Sequence, residues 1–315
     1  MIVLEVFLAT LTPMLTMFVC ILVGFVIKKG NLVPADTGTV ISKLEAFILG
    51  PALTLSAFLR NCNALTIAQN YQMMLYCIGA FAVEMLIAFP LSRLFYKKGY
   101  MRNVYKYCLV IANYGFMGNA IVPAILGQDA LFLYMIFTMP MSVLCYSWGL
   151  AQLIPGEKGI KGTLKRLFNP AMVAMLIGAV LGLTGASGYI PDFVSAALSN
   201  LGACMGPLAM VLTGFVIGGF DVHKLLGDPK VYIVSFIRLI LLPGAICLAL
   251  WALGASKMCV ILALFAFGTP LGLNTVVYPA AYGGDTAPGA SMAMISTTLC
   301  VVTIPLLYSL FSMIL

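Results

Sequence analysis

Polar residues in this chain gather in short clusters, and between the clusters run stretches of about 20 apolar residues, the length a helix needs to cross a bilayer. Ten such runs are predicted as spans: Val6–Ile27, Val40–Leu59, Met73–Phe95, Val104–Leu126, Leu131–Leu153, Pro170–Ser187, Phe193–Gly219, Val231–Leu253, Met258–Tyr282 and Ala287–Ile314. The expected fold is therefore an all-α polytopic membrane protein of ten transmembrane helices. Spans four and nine carry glycine, proline and asparagine in mid-run, which predicts interrupted helices. The first run has no basic residue before it and Lys28 and Lys29 after it. A signal peptide has the opposite charge order, so this run is expected to be a retained helix.

Composition agrees with the pattern. Of the 315 residues 62% are hydrophobic and 9% charged, against roughly 25% charged in a soluble domain. The net charge of +7 does not make a nucleic-acid surface, because the basic residues lie in short loops between apolar runs. Loops after odd-numbered spans hold Lys28, Lys29, Lys43, Arg93, Lys97, Lys98, Arg102, Lys106, Lys158, Lys161, Lys165, Arg166, Lys224 and Lys230, whereas loops after even-numbered spans hold only Arg60 and Lys257. The positive-inside rule then places the odd loops in the cytoplasm and both termini outside, in a plasma (inner) membrane. The nine cysteines are scattered without metal-ligand spacing, and the single histidine, His223, lies in a loop. No metal site or cofactor is expected.

The two halves repeat. Gly50-Pro51 recurs as Gly206-Pro207, and the run from Pro123 to Asp129 recurs from Pro279 to Asp285, each at a spacing of 156 residues. Val33-Pro34 and Ile190-Pro191 match at 157. Residues 1–153 and 170–315 are thus read as two five-span repeats joined by a cytoplasmic linker over 154–169. An odd number of spans per repeat inverts the second against the first. Inverted repeats are an architecture of secondary transporters, whose substrate sites lie at discontinuous helices near the midplane. Span four offers Asn113, Tyr114, Gly115, Gly118 and Asn119 ahead of Pro123, and span nine offers Thr269, Pro270, Asn274 and Thr275 ahead of Pro279. Freed backbone groups, amide and hydroxyl side chains, and half-helix amino termini suit an anion. Two charges fall inside spans, Glu84 in the third and Arg238 in the eighth. Arg238 is a candidate for a substrate carboxylate and Glu84 for a coupling proton, with a structural Glu84–Arg238 ion pair as the alternative. Glu45, at the start of span two, is expected to be an interfacial charge.

Taken together, the Gly-Pro of span two, the interrupted span four and the stretch Gly268-Thr269-Pro270-Leu271-Gly272-Leu273-Asn274 to Pro279-Ala280-Ala281-Tyr282 resemble the auxin efflux carrier family, which includes bacterial malate permease-like carriers. Asp285, the small-residue run Ala290–Thr298, Ile304-Pro305, and Arg238 followed by Leu239 to Pro243 extend the similarity over the whole chain. The resemblance implies a scaffold of helices 1, 2, 6 and 7 and a transport unit of helices 3–5 and 8–10. It also implies that helices 4 and 9 cross at their breaks, that a small organic anion such as malate or an auxin-like acid binds beside the crossing, and that transport is of elevator type. Where plant members have a proline in span four this chain has Asn113 or Tyr114, which implies an asymmetric crossing. The long central loop of many plant members is missing. A sodium-coupled carrier of the bile-acid-symporter type is the competing reading, and an intramembrane enzyme or a channel a more distant one. The coupling ion, proton or sodium, stays open, and a scaffold of this kind suits a homodimer.

Overall fold

The structure is a computed structural model that describes residues 2–153, 168–276, 279 and 285–315. Most of the predicted linker, and with it Lys158, Lys161, Lys165 and Arg166, lies outside the described residues, as does the end of span nine around Ala280–Tyr282. Seven helices are long and apolar enough to cross a membrane, and three shorter apolar helices accompany them. In chain order these are α1 (Leu4–Lys29), α2 (Thr37–Asn61), α3 (Ala64–Phe95), α5 (Tyr114–Leu126, short), α6 (Gln128–Leu153), α7 (Pro170–Leu183, short), α8 (Asp192–Gly218), α9 (Pro229–Ala252), α10 (Lys257–Gly268, short) and α11 (Ala287–Ile314). A further helix, α4 (Tyr100–Val110), precedes α5. No β-strand occurs among the described residues.

The distribution of side chains around α3 identifies the solvent. Its buried stripe runs through Cys77, Phe81, Glu84 and Ala88, spaced as one face of a helix. The opposite face exposes Leu75, Ile78, Val83 and Leu86, the last at 75%. Water would penalise that arrangement, whereas lipid accepts it. The same inside-out pattern on α1 exposes Leu8, Leu15, Val19 and Val26 around a buried Met14. The chain is a multi-pass membrane protein.

Two sets of helices pack within themselves. Helices α1, α2, α7 and α8 form one: α8 lies along α1 and α2, and α7 along α2. Small residues set the closeness of these contacts. A Cβ on Gly24 would collide with the Val211 carbonyl, and one on Gly214 with the Ile21 carbonyl, so α1 and α8 approach backbone to backbone through a reciprocal glycine pair. Gly178 against Phe58 and Gly182 against the Cys62 carbonyl do the same for α7 and α2. In the other set α3 packs on α4 and α6, α5 on α6, and α9 on α10, with α10 in turn against α6 and α11; α11 also runs along α1, which joins the two sets.

Several long helices are widened by a π-turn, over Glu45–Leu49 in α2, Cys145–Gly149 in α6 and Ile237–Leu241 in α9. In α2 and α9 the cause is readable. Pro51 and Pro243 have no N–H to give to the preceding turn, and the residues just before them reach one position further back, Gly50 N–H to Glu45 and Leu242 N–H to Ile237. Pro207 and Pro123 sit inside α8 and α5, and Pro279 is buried.

Candidate functional site

Helix α4 ends because Ile111 turns extended (φ −111°, ψ 115°), and α10 ends because Thr269 does (φ −66°, ψ 155°). Pro270 enforces the second break, since the residue before a proline avoids helical geometry. The two extended pieces then lie antiparallel, with Ala112 and Leu271 paired. The Asn113 N–H donates to the Pro270 carbonyl at 2.8 Å. Leu271 N–H, left without a helical acceptor, donates to the Ser296 hydroxyl of α11 at 3.0 Å. These two amides beside the breaks thus find partners in the protein, as the membrane interior requires. The asymmetry follows from the residue types: Asn113 supplies an N–H to this contact where Pro270 has only a carbonyl to offer.

Beyond the crossing the chain returns to helix. The Asn113 carbonyl accepts from both Met117 N–H (3.0 Å) and Gly118 N–H (3.2 Å), opening α5 as a π-turn. Tyr134 of α6 donates its hydroxyl to the Tyr114 carbonyl at 3.0 Å, and Tyr114 donates its own to Ser142 at 3.2 Å. Gly118 leaves room for this, because a Cβ there would strike the Tyr134 hydroxyl. Asn274, in the turn after the second break, donates to the Tyr107 hydroxyl at 3.0 Å and lies 3.7 Å from the Cys145 thiol. Tyr107 and Cys145 are themselves 3.5 Å apart. Gly289 of α11 has the Thr275 backbone where its side chain would be, which clamps the second arm of the crossing against α11.

Between the crossing and the α1–α2–α7–α8 set lies a cavity of about 840 Å³, large enough for a small organic molecule and its water. Tyr114, Gly115, Phe116, Asn119 and Asn274 form one wall. Gly115 faces open space, with nothing within 4 Å of the place a Cβ would occupy. The first residues of α5 therefore border the cavity with the amino-terminal, partially positive end of a helix. The facing wall brings Lys28, Lys43, Glu45, Thr54 and Phe215. Lys28 and Lys43 flank the α1–α2 connection, so the cavity reaches that end of the bundle.

Of the residues singled out in the sequence, Asn113, Gly118, Thr269, Pro270 and Thr275 build the crossing but are not part of the cavity wall. Asn113, Thr269 and Thr275 are buried. Glu84 and Arg238 form a direct ion pair with both side chains fully buried. Neither residue of the pair is part of the cavity wall. Glu45 departs from expectation. It is 1% exposed rather than interfacial, because the α2 stripe of Glu45, Leu49 and Ala52 faces inward.

The cationic and tyrosine partners were missed. Lys28, whose Nζ sits 4.7 Å from the Phe215 ring centre, counts in the sequence only towards orientation, although its place at the very end of an apolar run is a usable signal. Tyr107 and Cys145 carry none, since they are 38 residues apart in the chain and meet only in the fold. Among the described residues no cluster of acidic, histidine and cysteine side chains capable of holding a metal ion occurs.

Comparison with known proteins adds one finding. The family model described as Membrane transport protein matches residues 9–163 and matches again over 157–308. None of the curated proteins compared with the chain matched it. Covered almost from end to end by two successive matches, the chain belongs to the membrane transport protein family, that of the auxin efflux carriers.

Proposed function

We propose that this protein is a secondary carrier of small organic anions, mono- or dicarboxylates of the size of malate, and not an enzyme. The observation that carries the reading is the cavity bordered by the amino terminus of α5 and by Asn274 at a crossing of two broken helices. A carboxylate at Gly115 would meet helix amides that no side chain covers, with the amides of Asn119 and Asn274 beside it. Lys28 and Lys43 add positive charge along the route from the α1–α2 end.

The packing supports an elevator mechanism, and the proposed place of action is a plasma (inner) membrane. On this reading α1, α2, α7 and α8 are the fixed scaffold. The remaining helices move with the crossing, and the cavity between the two sets is the passage in its state open toward the cytoplasm. The two successive family matches, together with breaks in both halves, favour ten membrane passages in two inverted repeats, α4–α5 and α10 with the residues after it counting as one passage each. A scaffold face on α2 and α8 suits a homodimer.

Purified protein in liposomes, given labelled malate and then a panel of other carboxylates, tests the function. Saturable uptake driven by an imposed proton or sodium gradient is the expected result, and the gradient that works separates a proton-linked carrier from one of the bile-acid-symporter type. Unsaturable flux at channel rates, or no flux of any carboxylate in tight vesicles under either gradient, contradicts the reading.

A further inference from the structure

Glu45 opens the π-turn of α2, at the point where α2 packs against α7 and α8, and it belongs to the cavity wall. Neither of its carboxyl oxygens has a hydrogen-bond partner, and neither touches solvent. No lysine or arginine pairs with it among the described residues. An ionised carboxylate withdrawn from water and left unpaired is costly, so this side chain calls for a ligand that the protein does not supply.

The surroundings narrow the choice. On α2 the neighbouring cation is Lys43, which is exposed; on α1 it is Lys28, which lies over the Phe215 ring. The described part of α7 brings no titratable group. Helix α8 brings Cys204, which is exposed, and Asp192, at its far end. Arg60 at the end of α2 is 15 residues along the helix, roughly 20 Å away at 1.5 Å per residue. Across the cavity Tyr114 is the titratable group, with its hydroxyl on Ser142. A sodium ion asks for several oxygens around it, and among the described residues Glu45 belongs to no group of three or more acidic, histidine and cysteine side chains. A proton needs only that carboxylate.

We propose that Glu45 is a proton-binding site linked to the anion cavity, so that an anion entering the cavity takes up a proton at Glu45. The physical basis is like-charge exclusion. A carboxylate held just behind the cavity lining, its oxygens shielded from water, opposes an anion in the cavity through a low-dielectric surrounding, and protonation removes that opposition. By linkage the anion must in turn promote protonation by the same factor. This rests on the carrier reading above and assigns its coupling ion.

The test uses the full-length protein in detergent, with malate or whichever carboxylate the liposomes take up as the probe. The wild type should bind that anion more weakly as pH rises, by up to tenfold per pH unit where the dependence is steepest, the limit for one linked proton. Glu45→Gln, which has the shape of the neutral acid, should bind with the wild type's low-pH affinity at every pH, and Glu45→Asp should keep a pH dependence. In parallel, the acid-minus-alkaline infrared difference spectrum of the wild type should contain the loss of a protonated-carboxyl band that Glu45→Gln lacks. An unchanged affinity–pH profile in Glu45→Gln, or the same carboxyl band in that variant, overturns the proposal. If no carboxylate binds the wild type the carrier reading fails, and the infrared band alone then decides whether Glu45 takes up a proton.

Discussion

Asn274 is held by two side chains that no stretch of sequence connects to it, the Tyr107 hydroxyl and the Cys145 thiol. Removing the Tyr107 hydroxyl should loosen Asn274 without removing it. Tyr107→Phe is therefore expected to raise the half-saturation concentration for the transported anion about three- to tenfold, the worth of one neutral hydrogen bond of ~1 kcal/mol, with little change in maximal rate. Asn274→Ala should cost more in the same assay, because it takes away an amide from the cavity wall. Glu84 and Arg238 behave differently, being fully buried and paired with each other. Glu84→Gln leaves the Arg238 charge without a counter-ion and should lower stability by about 3 kcal/mol, measured by thermal unfolding in detergent. The double variant Glu84→Leu, Arg238→Met should recover most of that loss, since apolar replacements of similar volume are often tolerated where one unpaired charge is not. At this scale the sequence makes the charges conspicuous, because a glutamate and an arginine inside apolar runs are costly wherever they point. It does not settle whether they are paired or which residues surround them. Glu45 shows the limit from the other side: a charge near the end of a run reads as interfacial, and only the helix phase turns it inward.

The two breaks are the elements on which the site depends, and they arise by different chemistry. Pro270 stops α10 by its own geometry, whereas α4 stops at Ile111 and the Asn113 N–H beyond it is taken up by the Pro270 carbonyl of the opposing extended segment. Asn113→Pro would remove that donor. The expected result is a loss of about 1 kcal/mol of stability together with reduced uptake, read by unfolding and transport in the same preparation. Gly118→Ala should be worse, since the added methyl meets the Tyr134 hydroxyl that anchors Tyr114. Both breaks are legible in the sequence because glycine, proline and asparagine seldom cluster within an apolar run. The π-turns of α2 and α9 are half legible, since Pro51 and Pro243 mark their sites without showing that the helix absorbs the missing donor by widening rather than by kinking. The π-turn of α6, over Cys145–Gly149, has no proline in it and no sequence signal we can identify.

At the scale of the molecule, the cavity lies between the two helix sets and takes its walls from both. On one side is the glycine-sealed set of α1, α2, α7 and α8. On the other are α5 and α6 with the turn that carries Asn274. The inside-out patterning that makes this a membrane protein is read directly from residue order. The sorting of helices into two sets is not, because it depends on contacts such as Gly24 with Val211 and Gly214 with Ile21 between distant parts of the chain. The central claim, that an organic anion sits against the amino terminus of α5, is tested most directly at Gly115, which faces open space in the cavity. The measurement is labelling of Gly115→Cys by a charged, membrane-impermeant maleimide in a background without Cys20 and Cys204, the two cysteines that are not buried. The account predicts that the transported anion protects the introduced thiol, with half-protection at the concentration that half-saturates uptake. Labelling at the same rate with and without saturating anion would contradict it.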